Sequence, residues 1–507
     1  MSSSLPQESD LRHLKLQAKT LLKSARDGDN DAEACIQATM RESRQRPVLA
    51  DALHAIAHEY GFASWARLKI HVELASKAFD KKLEMFLSSA WLRGDGQLSR
   101  LLLDEVPELA AANIYTACAV GDEKTAVDLL KSNPSLAVET GGPRGWCPLL
   151  YATWSCFLPD RTDAIAHIVR LLLDHGADPN SFWTNDSDWK ESALYGCVEY
   201  NNVTVARVLI DAGADPNDTE SLYHACEKHN IALLDTLAIN ELDTDSISYC
   251  IKHAMDFRWT DGIRWFLDHG ADPDAVHPEA NETSLHWAVK RNCPVAVIES
   301  LLEHGADPNA HTKEGRSAYL HIPGWTPYDY ALRLGLKEIA RVLTTHGAIA
   351  SPQLDYDRFV IAAANNYRGT AEALKDEYAS TLTDGDRNLI AHVAQMGNWD
   401  GIDLMLDMGW PIDVQGWMGA TPLYWALCFG HADAVKRLLQ RGASTDPVDG
   451  YFQHPLHTVV HCRWDDGTGD YPDTLERLLD HGVRIPDGFY PCGQADMDRV
   501  LERFIES

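Results

Sequence analysis

Apolar residues recur along this chain at helical spacing, three and four residues apart, in short runs broken by Gly and Pro. The first run spans Leu11–Arg26, with Leu11, Leu14, Ala18, Leu21, Leu22 and Ala25 on one face. A second spans Leu49–Tyr60. Gly61-Phe-Ala-Ser-Trp65 then opens a third over Ala66–Leu74, with Ser64 as its N-cap. Beyond residue 80 the runs become paired and periodic. A phrase read as LLDHGADPN over 172–180 returns in variant form around Gly213, Gly270, Gly305, Gly347, Gly409, Gly442 and Gly482. The intervals between these glycines are 37, 57, 35, 42, 62, 33 and 40 residues. The two long intervals hold about two units each, which predicts degenerate helix pairs at 219–248 and 353–385. A second phrase precedes five of these glycines: WCPLLYA at 146–152, TSLHWA at 283–288, TPYDYA at 326–331, TPLYWA at 421–426 and HPLH at 454–457. Its Pro suits the first helical turn, where a missing N–H costs nothing. The Gly of HGAD suits a left-handed helix end, so Gly270→Val is expected to destabilise.

The two phrases, repeated in phase, resemble the ankyrin-repeat family, with TPLHxA followed by LLxxGAdpN. The resemblance implies an all-α solenoid of about eleven units. Their starts fall near 84, 113, 146, 191, 219, 248, 281, 325, 356, 387, 420 and 453, the first degenerate. The N-terminal pattern LKLQAK…ADALHAIAHEYGFASWARLK resembles a small helical module found ahead of ankyrin arrays in many bacterial proteins. The expected organisation is a three-helix module over 1–80, a solenoid over 81–488 and a cap helix over 489–507. Insertions lengthen the fingers at Ser181–Lys190, Ala310–Gly324 and Trp464–Tyr471.

Charge narrows the partners. The chain carries 45 Lys+Arg against 75 Asp+Glu, a net −30, and residues 1–80 hold 11 of each. The whole excess therefore lies in the repeats. Such acidity excludes a phosphate-backbone partner, so no nucleic acid is expected. It also disfavours anionic membrane surfaces, and no apolar run reaches the roughly 20 residues of a span. The eleven cysteines follow no disulfide framework, which points to a cytoplasmic home. No phosphate loop, nucleophile elbow or dinucleotide fingerprint occurs, so no cofactor is expected.

Candidate chemistry lies where the inner helices end, the positions that face the concave side of such a stack. His224-x-x-Glu227 and His253-x-x-Asp256 place imidazole and carboxylate on one face in neighbouring units, with Glu199 in the same register one unit earlier. Glu199, His224, Glu227, His253 and Asp256 form the candidate catalytic set. Tyr151, Trp154, Tyr200, Trp287 and Arg291 form the candidate ligand-binding wall. Crowded carboxylates are expected to raise at least one pKa, and Glu227→Gln or Asp256→Asn to leave the fold intact. The first reading is recognition of a protein segment or small molecule of positive or hydrogen-bond-donating character. The alternative is an enzyme doing acid/base or metal-assisted chemistry on a small molecule, with long fingers closing as lids. No metal site is expected. His54/His58 lack the glutamate of a zinc motif, and His457/His461 beside Asp465 and Asp466 read as structural. Cys118, Cys197 and Cys226 read as packed thiols. Trp183, Trp189, Trp325, Trp417 and Trp464, all in fingers or insertions, read as exposed recognition surface.

Overall fold

A computed structural model describes residues 5, 10–39, 47–315, 320–446, 454–462 and 469–505. Trp464, Asp465, Asp466, most of the 464–471 insertion and the middle of the 310–324 insertion lie outside these. The chain divides into two units, Met1–Leu242 and Asp243–Ser507.

The first unit begins with four helices: α1 Leu11–Arg26, α2 Asn30–Gln37, α3 Leu49–Glu59 and α4 Trp65–Ala75. Their starts follow from side-chain caps. Asp10 accepts from Arg12 N, Asp29 from Asp31 N and Ala32 N, and Ser64 from Arg67 N. Leu14, Ala18, Ile36, Ala52, Ile56 and Leu68 bury together. The three-helix expectation thus needs correcting by one. Helix α2 is two turns long, with Ala32 and Ile36 as its buried residues, too short for a periodicity to show.

Helix pairs follow. They are α5 Phe79–Ser89 with α6 Gly96–Glu105, α7 Ile114–Val120 with α8 Glu123–Ser132, and α9 Pro148–Thr153 with α10 Thr162–Asp174. Next come α11 Ala193–Glu199 with α12 Val203–Asp211, and α13 Ser221–Ala225 with α14 Ile231–Leu237. First helices pack on first helices (α7, α9, α11, α13) and second on second (α8, α10, α12, α14). Helix α12 shows why. It buries Val205, Ala206, Val208, Leu209 and Ile210, and a fully buried Val, Leu or Ile contributes about 1.5–3 kcal/mol. The Ser181–Lys190 insertion adds the described strands, β1 Phe182–Thr184 and β2 Lys190–Ser192, paired antiparallel.

The second unit continues with α15 Thr244–Asp256 and α16 Thr260–Asp268, α17 Ser284–Lys290 and α18 Val295–Glu303, and α19 Pro327–Arg333 and α20 Lys337–Thr345. Then come α21 Asp355–Ala364 and α22 Arg368–Tyr378, α23 Asp384–Gln395 and α24 Trp399–Met408, α25 Pro422–Cys428 and α26 Ala432–Gln440, and α27 Pro455–His461 and α28 Tyr471–Asp480. Helix α29, Ala495–Ile505, buries Met497, Val500 and Leu501 and packs on α28. Each long glycine interval thus holds a helix pair: α13/α14 in one, α21/α22 in the other.

The inner face of this second unit is closed. Repeats stack about 10 Å apart, so α17 and α23, three steps apart, would stand ~30 Å apart in a straight array. Instead Asn292 Nδ2 donates to Met396 O at 3.1 Å, and the Arg291 guanidinium lies 5.1 Å from the Trp417 ring. The stack bends back until its inner helix ends meet.

Gly270 follows α16 at φ +90°, and a Cβ there would meet nothing within 4 Å. The cost of a side chain is therefore backbone strain alone. Gly270→Val should lower stability by about 1 kcal/mol or more, read from the midpoint of denaturant unfolding.

Candidate functional site

In the first unit, a carboxylate sets the register of the site. Asp218, nearly buried, accepts from the Ser192 hydroxyl, from Ser221 Oγ at 2.7 Å and from Ser221 N at 2.7 Å. It thereby ties the start of α11 to the start of α13. Within α11, Gly196 lets Trp154 lie against the helix, since a Cβ there would come within 2.9 Å of Trp154 Nε1. Trp154 is wholly buried, and its Nε1 donates to Ser192 O at 3.0 Å. Tyr195 meets Trp154 edge-on at 5.4 Å and stacks on His224 at 4.9 Å.

Three carboxylates converge on that imidazole. His224 Nδ1 lies 2.9 Å from Glu227 Oε1 and 3.9 Å from Glu199 Oε1, while Nε2 lies 3.3 Å from Glu220 Oε2. Lys228 Nζ lies 3.6 Å from Glu199 Oε2. The side chains of Glu199, Glu220 and Glu227 stay 20%, 18% and 29% exposed. Burial alone would lower the His224 pKa, but the hydrogen bond with Glu227 and the charges of Glu227, Glu199 and Glu220 outweigh it and raise it. Burial raises the Glu220 pKa, with Glu191 and Asp218 adding to it and His224 opposing. Behind this group, Arg93 clasps Glu191 through two bonds of 2.9 and 3.2 Å, and Asn185 Nδ2 donates to Glu191 at 2.8 Å.

The matching positions of the second unit are a closed network. Asp256 Oδ1 accepts from Trp287 Nε1 at 2.7 Å and from Arg291 Nε at 2.7 Å, and His253 Nδ1 lies 3.5 Å from Asp256 Oδ2. Trp287 stacks on His277 at 5.1 Å. Burial alone would raise the Asp256 pKa. The hydrogen bond from His253, the charge of Arg291 and the bonds from Trp287 and Arg291 outweigh it and hold it down. The neighbouring Lys290 Nζ donates to both oxygens of Glu282 at 2.7 Å, and His321 Nδ1 lies 2.7 Å from the same carboxylate. This pins a described part of the 310–324 insertion. Burial still presses Lys290 down to about 8 against that partner.

Of the expected five-residue set, Glu199, His224 and Glu227 belong to the first unit, and His253 and Asp256 to the second. The expected aromatic wall needs a correction. Tyr151, Trp154 and Trp287 are buried, Tyr151 with its hydroxyl on Gly141 O at 3.0 Å, and the Arg291 side chain is 8% exposed. Tyr200 is half-buried, and its hydroxyl meets no acceptor among the described residues. Of the described finger tryptophans, Trp189 is exposed, while Trp183, Trp325 and Trp417 pack against neighbouring rings. Asp256, in the expected set, has its pKa held down rather than raised by crowding, while Glu220, outside that set, is raised by burial first and then by neighbouring carboxylates. Sequence reasoning missed Glu220 and Tyr195, each four residues before a chosen residue on the same helical face, and Arg93 with Glu191, which lie 98 positions apart. Cys118, Cys197 and Cys226 are buried thiols. His54 and His58 meet edge-on at 4.7 Å, and His457 and His461 stack at 6.0 Å. Among the described residues no group of three or more His, Cys, Asp or Glu is placed to hold a metal ion.

Asp256→Asn leaves the nearly buried Arg291 without its anion, so it should cost about 2 kcal/mol, against the expectation of an intact fold. The folded-state pKa is depressed, so this contribution is complete above the ordinary carboxylate range and lost as pH falls through the folded value. Melts of parent and variant should differ at neutral pH and converge in acid; equal stability at neutral pH would show the network idle.

No curated protein matches the chain. Two segments, residues 253–353 and 359–449, match the family model described as "Ankyrin repeats (3 copies)". The ankyrin repeat domain of Bcl-3, described as a unique member of the IkappaB protein family, is 23% identical, covering 42% of this chain and 92% of that one, at a TM-score of 0.35. The human ASB11 ankyrin repeat domain is 21% identical, covering 50% and 96%, at a TM-score of 0.23. Recurring phrases, stacked helix pairs and the family match agree: this chain carries ankyrin repeats, built into an all-α solenoid.

Proposed function

We propose that the protein is a recognition scaffold. It binds a segment of another protein by receiving a lysine or arginine side chain among Glu199, Glu220 and Glu227. Ankyrin repeats generally mediate protein–protein interaction. The observation that carries the reading is the convergence of those three partly exposed carboxylates on His224. An incoming cation would find charge-assisted hydrogen bonds to these partly exposed carboxylates with little rearrangement. In the second unit the equivalent positions are committed to one another. A cytoplasmic setting belongs to the same reading, on the sequence ground of unpatterned cysteines. No helix among the described residues is long and apolar enough to cross a membrane.

Acid/base chemistry by His224 with Glu227 needs a ring nitrogen free to exchange a proton with substrate. Both nitrogens face carboxylates, Nδ1 on Glu227 and Nε2 on Glu220, which favours a clamped imidazolium over a working base.

Calorimetric titration of the full chain with a lysine-rich peptide and its glutamate-substituted counterpart tests the proposal. The basic peptide should bind and the acidic one should not. Glu220→Gln combined with Glu227→Gln should weaken binding by about tenfold or more, with melts confirming the fold. Equal binding of both peptides, or an unchanged affinity in the variant, would refute it.

A further inference from the structure

A second place in the first unit sets one cation, Arg144, beside one carboxylate, Asp178. A cleft of about 550 Å³ lies between the finger before α9 and the finger that carries β1. Its volume falls within the roughly 300–1,000 Å³ of small-molecule sites. Val138, Arg144, Trp146, Leu150, Phe182 and Trp183 supply its main surfaces. Val138 and Phe182 at its rim are 51% and 46% exposed, large apolar side chains held in water.

Arg144 distinguishes the cleft. Its guanidinium lies 3.7 Å from the Trp91 ring centre and 5.1 Å from that of Trp146, and its Nη2 donates to Ser88 O at 2.9 Å. Arg93, Arg291 and Arg333 each meet a carboxylate at ordinary ion-pair distance. Arg144 meets a backbone carbonyl and aromatic faces instead. Two buried donors here also find no acceptor among the described residues: Arg144 Nε and Trp183 Nε1. Native interiors rarely leave such donors unmet.

We propose that this cleft binds a small planar aromatic carboxylate, with its ring against Phe182 and the tryptophan pair and its carboxylate on Arg144. A guanidinium fork matches a carboxylate in shape and charge, and indole faces accept flat rings. Asp178 also lines the cleft, which opposes a doubly charged phosphate in the same place. None of these residues belongs to the His224 group, so the two assignments stand or fall separately.

The test is calorimetry of the full chain with naphthylacetate, its neutral amide and naphthyl phosphate. Naphthylacetate should bind saturably at one site, with the amide and the phosphate each weaker by about tenfold. Arg144→Gln should erase the preference for acid over amide, while Arg144→Lys should keep it at reduced affinity. Phe182→Ala should weaken acid and amide together, and Glu220→Gln should change neither. Absence of saturation, an amide that binds as tightly as the acid, or a phosphate that binds best would each overturn the proposal. So would a preference for acid that survives Arg144→Gln. The acid–amide contrast in the parent chain decides even where a variant folds poorly.

Discussion

A charge taken out of water has to meet its opposite where it lies. In a chain with 75 acidic and 45 basic residues, cations are the scarce partner, and their placement decides which parts of the solenoid hold together. Arg93 holds the nearly buried Glu191, next to the β-ribbon. Lys290 and His321 share Glu282, and Arg291 joins Asp256 to the Trp417 finger. Arg333 bridges α19 to α23 through Asp386, with Asp357 as its second carboxylate. Two of these contacts, Arg333 with Asp386 and Arg291 with Trp417, reach past the neighbouring repeat.

The contrast between two copies of one pattern carries the functional reading. The His-x-x-acid pattern occurs twice in one register, and its two copies have different fates. At His253 and Asp256 an arginine and an indole N–H complete the carboxylate, and its pKa falls. At His224 and Glu227 the imidazole is held by carboxylates, and the group stays partly exposed. Spacing along the chain is identical in the two cases. The difference comes from Arg291, which lies one unit further on and reaches back.

The repeat array was legible because it rests on local chemistry. Pro at the first helical turn, Gly at the helix end and Leu-rich stripes recur in several units, and the glycine intervals placed the degenerate pairs at 221–237 and 355–378 between them. The wall residues were not legible. Trp154 occupies a position that usually faces the groove, but Gly196 on the next helix opens room for its ring, and it sinks. The closure of the second unit was also invisible. It depends on Asn292 meeting Met396 across 104 positions, a sum of small bends that no motif records. Of the expected catalytic set, three residues cluster with Glu220 and Tyr195, which an i, i+4 reading of the same helices would have added.

The central claim is that the acidic group around His224 is the surface offered to a partner, while the inner face of the second unit is spent on its own closure. Hydrogen–deuterium exchange of the full chain, with and without a saturating lysine-rich peptide, tests this most directly. The account predicts new protection in 193–200 and 220–228 and none in 284–292 or 384–396. Protection concentrated in the second unit's inner helices, with 220–228 unchanged, would contradict it.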